Sequence, residues 1–127
     1  MSVNNQDLVL NEMRAALALL ETEMRTIGWW QSQAPPVEAL NSKEPFCIDY
    51  LRFSEWLQWV YIPKMQAFMN QTGRLPAQSN LLAIAEEAWK GSGRDSTGLL
   101  QIIELLDALV MGDAKDKWQA VIGQRLS

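Results

Sequence analysis

The chain has 127 residues, a formal net charge of −4, one cysteine and no histidine. Its length corresponds to a single domain, and a chain without histidine lacks the commonest general base and metal ligand. Because one cysteine excludes an intrachain disulfide and an acidic chain opposes binding to phosphate backbones, we expect no metal, no cofactor and no direct contact with nucleic acid.

Residues 5–27 are predicted to form the first helix. Its apolar residues recur at helical spacing, namely Val9, Met13, Ala16, Leu17, Leu20, Met24 and Ile27. Gly28 favours a left-handed stop, after which Trp29 or Trp30 can pack back against the last turn. Residues 31–45 contain two adjacent prolines and are predicted to be a long strap that connects the first two helices and packs across the bundle.

Residues 46–69, which read FCIDYLRFSEWLQWVYIPKMQAFM, are apolar on nearly every face of a helix. Such a helix must be covered on more than one side, so we predict that it is the central helix of a bundle. Its start is expected between Phe46 and Tyr50, with Asp49 as a plausible cap. At least three of the six tryptophans are expected in the core, Trp56 first among them.

Pro63 interrupts this aromatic segment. Proline removes one backbone amide and crowds the carbonyl of Trp59, which predicts a kink at residues 60–63 with helical residues on both sides. The kink either shapes the bundle only or exposes Trp59 and Lys64 to a partner. Trp30 and Trp118 are the other tryptophans expected at the surface.

Two more helices are predicted, over residues 80–90 and 97–111. Glu104 and Asp107 lie three residues apart in the second of these, and without a histidine partner they are interpreted as exposed charges. We expect an all-α fold, a compact bundle of about four helices in a single domain over residues 1–112. Residues 113–127 form a tail that is expected to contain a short amphipathic helix.

The aromatic segment is not expected to cross a membrane, because Asp49, Arg52, Glu55 and Lys64 interrupt it. The N-terminal residues lack the basic region and apolar run of a signal peptide. A reducing cytoplasm is therefore the predicted location, and the single cysteine agrees with it.

The sequence FSEWLQWVYIPKM at residues 53–65 resembles the signature of the YqcC-like family of small bacterial proteins. LLETEMRTIGWW (19–30), PFCIDY (45–50) and LLDALV (105–110) support this resemblance, which extends in the same order over residues 5–111. The resemblance implies an all-helical fold without an assigned activity. It also implies an accessory role, because genes of this family often lie beside one for a tRNA pseudouridine synthase. Such a synthase has a large mixed domain, which this small helical chain does not resemble.

Two functions remain open from the sequence. In the first, the protein is a non-catalytic module that binds a protein partner, with a tRNA pseudouridine synthase as the candidate and Trp30, Trp59, Lys64 and Met65 as candidate contact residues. In the second, it carries a small apolar ligand between its helices. Catalysis is not expected, because Cys47 beside aromatic residues is typical of an inert buried thiol.

Overall fold

The computed structural model describes the backbone of residues 5–126, and the side chains in this range except those of residues 5, 6, 115 and 123–126. Its α-helices are α1 (Asn5–Thr26), α2 (Val37–Leu40), α3 (Phe53–Trp56), α4 (Ile62–Thr72), α5 (Leu82–Ala88), α6 (Thr97–Met111) and α7 (Lys115–Leu126). A 3-10 turn covers Pro45–Cys47 and a π turn covers Leu57–Tyr61. No β-strand occurs in the range described, so the all-α prediction is confirmed. The predicted domain and tail also include residues 1–4 and 127, which lie outside it.

The end of α1 follows directly from its sequence. Gly28 adopts a left-handed φ of 81°, and the Trp29 amide donates to the Met24 carbonyl at 2.8 Å. This double turn is a Schellman motif, which satisfies carbonyls at the end of a helix and reverses the chain. The reversal places the ring of Trp29 5.5 Å from that of Trp89, at the end of α5.

The main core lies between α1, α4, α5, α6 and α7. Helix α6 packs against α1, α5 and α7, and seven of its side chains are buried. The largest fully buried side chains are Met13, Leu20, Met24, Leu57, Met69, Leu99, Ile102, Ile103, Leu105 and Leu106. The tail predicted from residue 113 is helical, and its Val121 is buried in this same core. The Lys117 ammonium pairs with the Glu104 carboxylate at 2.5 Å, which ties α7 to α6.

Helix α3, the π turn and α4 follow one another without a non-helical residue, and we call residues 53–72 the aromatic helix. It begins at Phe53, so the predicted start between Phe46 and Tyr50 is wrong. Phe46 and Cys47 take left-handed φ values of 56° and 52°, which turn the chain before the helix can begin. Asp49 accepts a hydrogen bond from the Ser42 hydroxyl instead of capping the helix.

The predicted irregularity at Pro63 takes the form of the π turn. The Ile62 amide donates to the Leu57 carbonyl, five residues earlier, immediately before the proline. A π turn widens the helix by one residue, so a residue without an amide donor can follow it with less disruption. Helical residues lie on both sides of Pro63, as predicted.

The Tyr61 hydroxyl, at the end of the π turn, is buried and makes no hydrogen bond within the described part of the chain. Burial, with a smaller contribution from the Asp107 carboxylate, raises the pKa of Tyr61 above its usual range. A buried hydroxyl without a partner destabilises a fold. We therefore expect Tyr61→Phe to keep or raise the free energy of unfolding at pH 7, by up to about 1 kcal/mol, in a urea titration.

The raised pKa of Tyr61 also predicts that the stabilities of wild type and Tyr61→Phe change differently at alkaline pH. The folded state favours the neutral phenol, so this favourable contribution is present below the unfolded-state pKa of about 10 and is lost as the pH rises above it. Wild type should therefore lose more stability than Tyr61→Phe between pH 9 and pH 11. A phenylalanine variant that is less stable at pH 7 would show that the hydroxyl has a partner.

Asp107 is not an exposed charge, which corrects the prediction for this residue. Its carboxylate, on α6, accepts hydrogen bonds from the Ser79 hydroxyl at 2.5 Å and from the amides of Leu81 and Leu82 at 2.9 and 2.8 Å. These amides open α5 and have no partner inside that helix. Asp107 therefore caps a neighbouring helix through a tertiary contact.

We expect Asp107→Ala to lower the free energy of unfolding by about 2 kcal/mol, because three donors lose a charged acceptor. Chemical denaturation measures this loss. Glu104→Ala is the matched control: Glu104 pairs with Lys117 at a site where both side chains are more than a third exposed. Such a pair contributes below about 1 kcal/mol. Equal losses in the two variants would contradict the capping role.

Candidate interaction site

Trp30 and Trp59 line one shallow cleft of about 450 Å³, although they are distant in sequence. Trp30 follows the end of α1, and Trp59 lies in the π turn of the aromatic helix. Both indole side chains are half-buried. We call this the tryptophan cleft; its other lining residues are Arg25, Gln31, Ser32, Gln58 and Pro63.

Gln31 fixes the strap against the aromatic helix. Its backbone amide donates to the side-chain oxygen of Gln58 at 2.9 Å, and its carbonyl accepts from the Gln58 side-chain nitrogen at 2.8 Å. The Gln58 side chain is only 6% exposed. This reciprocal pair satisfies a part-buried peptide group in the way a β-ladder does. The strap therefore cannot leave the helix without exposing two unpaired backbone groups.

The Gln31 side chain adds two further contacts. It donates to the Glu55 carboxylate at 2.7 Å and accepts from the Trp59 indole nitrogen at 2.9 Å. The indole donor is therefore satisfied within the protein, and the orientation of the ring is fixed. A fixed aromatic side chain loses little conformational entropy when a partner covers it.

Arg25 supplies the positive charge of the cleft. Its guanidinium carbon lies 5.1 Å from the centre of the Trp30 ring, and its Nε pairs with the Glu21 carboxylate at 2.9 Å. The first contact is a cation–π interaction, which holds the arginine flat over the indole. The cleft thus combines two aromatic walls with one exposed cation.

Lys64 lies beside this cleft and not in it. Lys64 is exposed and lines a second depression, which shares Trp59 and Pro63 with the tryptophan cleft. Met65 was a candidate contact residue for a protein partner. It is instead only 7% exposed and belongs to the main core. Adjacent residues of a helix point about 100° apart, so Lys64 faces outward while Met65 faces inward.

The remaining tryptophans are distributed between core and surface. Among the tryptophans of the described residues, only Trp89 is buried, at 7% exposure, so the expectation of at least three core tryptophans with Trp56 first is wrong. Trp56 is half-buried and packs against both the main core and a small strap cluster of Ala39, Cys47 and Leu51. Trp118 is half-buried, and its ring nitrogen is buried without a partner in the range that the structure describes. Trp118 therefore does not offer its donor to a partner protein.

Gln31 and Gln58 are the residues that the sequence analysis missed. A signal for Gln58 was present, because Met65 lies seven residues later on the same face of the aromatic helix. Met65 is apolar and buried, so a glutamine on that face must find a partner inside the protein. No comparable signal marks Gln31, whose role depends on where the strap crosses the helix.

Three further features of the described residues concern a free thiol, metal binding and membrane spans. Cys47 is a free thiol buried in the strap cluster. Over the described residues, no group of three or more histidine, cysteine, aspartate or glutamate side chains is placed to hold a metal ion. No helix in that range is long and apolar enough to cross a membrane.

The described residues form an all-helical scaffold, in which Gln31 and Gln58 fasten the strap to the aromatic helix, and this defines a small all-α protein. Residues 12–109 match the DUF446 family, which is described as tRNA pseudouridine synthase C. The chain belongs to this family, and the predicted YqcC-like relationship is confirmed.

Relatives of known sequence agree with this assignment. The chain is 32% identical over 104 residues to the uncharacterised protein YqcC of Escherichia coli, with 82% of this chain and 95% of YqcC covered. It is 40% identical over 80 residues to an uncharacterised protein of Haemophilus influenzae, with 63% of this chain and 76% of that protein covered. No solved structure matches the chain significantly.

A third relative is much longer than the segment that it shares with this chain. This is a protein of Pectobacterium carotovorum named tRNA pseudouridine synthase C, which is 38% identical over 81 residues. The match covers 64% of this chain but only 22% of that protein. Most of the synthase-named protein therefore lies outside the part that resembles this chain.

Proposed function

We propose that this protein is a non-catalytic accessory module that binds a tRNA pseudouridine synthase in the cytoplasm. The observation that carries the proposal is the Pectobacterium relative, in which a segment similar to this chain makes up about a fifth of a synthase-named protein. Two units that share one chain are held at high effective concentration. When the same units are separate chains, a binding surface must replace the covalent link.

The tryptophan cleft and the adjoining Lys64 are the proposed surface. Tryptophan and arginine are the residues most enriched among interface hot spots, and the cleft contains two tryptophans and Arg25. The hydrogen bond between Trp59 and Gln31 fixes the ring before binding, so the partner need not order it. Met65 is not part of the surface, because it is buried.

The charge of the chain also fits this partner class. The formal net charge is −4, whereas an enzyme that acts on tRNA needs a basic face for the phosphate backbone. Attraction between opposite charges on two proteins raises their association rate, and this attraction weakens with added salt. The same charge disfavours direct tRNA binding by this chain.

The test is calorimetry with the tRNA pseudouridine synthase of the same cell. We expect saturable binding at micromolar or lower concentration, and a loss of about 30-fold or more for Trp59→Ala, the range of an interface hot spot of about 2 kcal/mol. Lys64→Glu should weaken binding less, because it removes a local contact but makes the chain more acidic, and it should increase the salt dependence of binding. Circular dichroism confirms that each variant is folded before titration.

Lys90→Glu is the matched control, because Lys90 is an exposed lysine that lines neither depression of the proposed surface. It should bind as wild type does. No heat of binding at tens of micromolar, together with no co-purification, would exclude the synthase as partner. Normal binding by both Trp59→Ala and Lys64→Glu would keep the partner and reject this surface. Salt-sensitive binding of tRNA by this chain alone would contradict the accessory role.

A further inference from the structure

A second concave region lies on the other side of the Gln31 contact, between the end of α1, the start of the aromatic helix and the end of α5. It has a volume of about 540 Å³, within the range of pockets that hold small molecules. Its apolar lining includes the rings of Trp29, Phe46, Phe53 and Trp89. We call it the aromatic groove.

The groove has flat aromatic walls. The rings of Trp29 and Phe53 lie 5.5 and 5.7 Å from the ring of Trp89, with interplanar angles of 49° and 57°. Phe53 and Trp89 are only 8% and 7% exposed, so the accessible aromatic surface of the groove belongs mainly to Trp29 and Phe46, which are half-buried. A planar apolar molecule gains most from such walls, because it can stack on one ring and meet the edge of another.

The outer wall is formed by a strained segment. Phe46 lines the groove and takes a left-handed φ of 56°, and Cys47 follows at 52°. Consecutive left-handed residues other than glycine each cost about 1–2 kcal/mol, and such strain concentrates at ligand clamps. Ile48 continues this wall and is 73% exposed, although it is a large apolar residue. A molecule in the groove would cover part of it.

The rim of the groove is positively charged. Arg52 is exposed and lines the groove. The Arg94 guanidinium lies beside Gly28, another lining residue, and donates to the Ile27 carbonyl at 2.8 Å. The Glu55 carboxylate also lines it, but both of its oxygens already accept hydrogen bonds, from the Arg52 amide and the Gln31 side chain. Glu55 keeps its negative charge, so Arg52, Arg94 and Glu55 together carry a net charge of +1, which favours an anion at the rim.

We propose that the aromatic groove binds a flat apolar small molecule that carries one anionic group. The ring system packs against Trp29 and Phe46, and the acid group lies at the rim near Arg52. This site is separate from the tryptophan cleft and does not depend on the identity of the protein partner.

The test is calorimetric titration of the whole chain with naphthoate and with naphthyl methanol, which has the same ring system and no charge. We expect one ligand per chain for both, with naphthoate binding several-fold more tightly. Arg52→Gln should remove most of that difference, since an exposed ion pair accounts for a factor of about five or less.

A pocket-filling pair of variants tests the location. Ala88 is exposed and lines the groove at the end of α5, so Ala88→Phe fills the groove without entering the core. Ala83 is exposed on the same helix but does not line the groove, so Ala83→Phe is the matched control. We expect at least tenfold weaker naphthoate binding for Ala88→Phe and unchanged binding for Ala83→Phe.

Three outcomes would overturn the proposal: no saturable binding at millimolar naphthoate, equal binding by Ala88→Phe and Ala83→Phe, or naphthyl methanol binding as tightly as naphthoate. If naphthoate does not bind but Ala88→Phe blocks association with the synthase, the groove belongs to a protein interface and the small-molecule site is rejected. If the synthase does not bind, the expected binding of naphthoate to the aromatic groove is unaffected, so the two proposals can be tested separately.

Discussion

Replacing Trp89 with alanine is expected to lower the free energy of unfolding by about 3–5 kcal/mol, the usual loss for a truncated core aromatic residue. Trp89 is 7% exposed at the end of α5, and its ring contacts those of Trp29 and Phe53. These contacts join three parts of the chain: the end of α1, the start of the aromatic helix and α5. Alanine at this position leaves a cavity where the three meet.

Urea denaturation followed by circular dichroism measures this loss. Trp89→Phe is the control, because it keeps an aromatic ring at the junction and should cost about 1–2 kcal/mol. Trp59→Ala provides a comparison with a half-buried tryptophan outside the main core. A loss below about 1 kcal/mol for Trp89→Ala would show that the junction does not support the fold.

Gln58→Leu should cost about 2–4 kcal/mol although leucine is apolar and similar in size. The substitution leaves the amide and the carbonyl of Gln31 without their partners, and each part-buried group left unpaired costs about 1–3 kcal/mol. Leucine burial offsets part of this loss. We also expect the strap to become more mobile around Trp30, which would raise amide hydrogen exchange at residues 30–34.

Two variants separate this effect from general damage to the helix. Gln31→Ala keeps both backbone contacts with Gln58 and loses only the side-chain bonds to Glu55 and Trp59, so its cost should be about half as large. Gln66→Leu lies at an exposed position of the same helix and should change stability by less than about 0.5 kcal/mol. If Gln58→Leu is no worse than Gln66→Leu, the reciprocal contact does not fasten the strap.

The two large predictions bear on function in different ways. Gln58→Leu should also weaken the proposed synthase contact, because Trp30 and Trp59 keep their relative position through the strap. Trp89→Ala should disturb the aromatic groove, which Trp89 lines, and should affect the tryptophan cleft only through loss of overall stability. Binding measured at a temperature where each variant is folded distinguishes these effects.

Features set by local sequence could be predicted. Helix α1, its glycine stop and helix α6 lie where periodicity and turn residues place them, because these signals act within one or two turns. The start of the aromatic helix was misplaced by several residues. An apolar run from Phe46 continues the helical pattern, but the left-handed backbone at Phe46 and Cys47 depends on packing of the strap.

The sequence by itself determined an all-helical chain, helix on both sides of Pro63 and an excess of tryptophan that a core of this size cannot wholly bury. Only the tertiary structure decided which side chains meet. Gln31 and Gln58 are 27 residues apart, and Asp107 caps amides 25 and 26 residues before it. The placement of Trp30 beside Trp59 and the burial of Met65 depend on such contacts. No local pattern encodes them, because each depends on the crossing of two elements whose faces are chosen by the core as a whole.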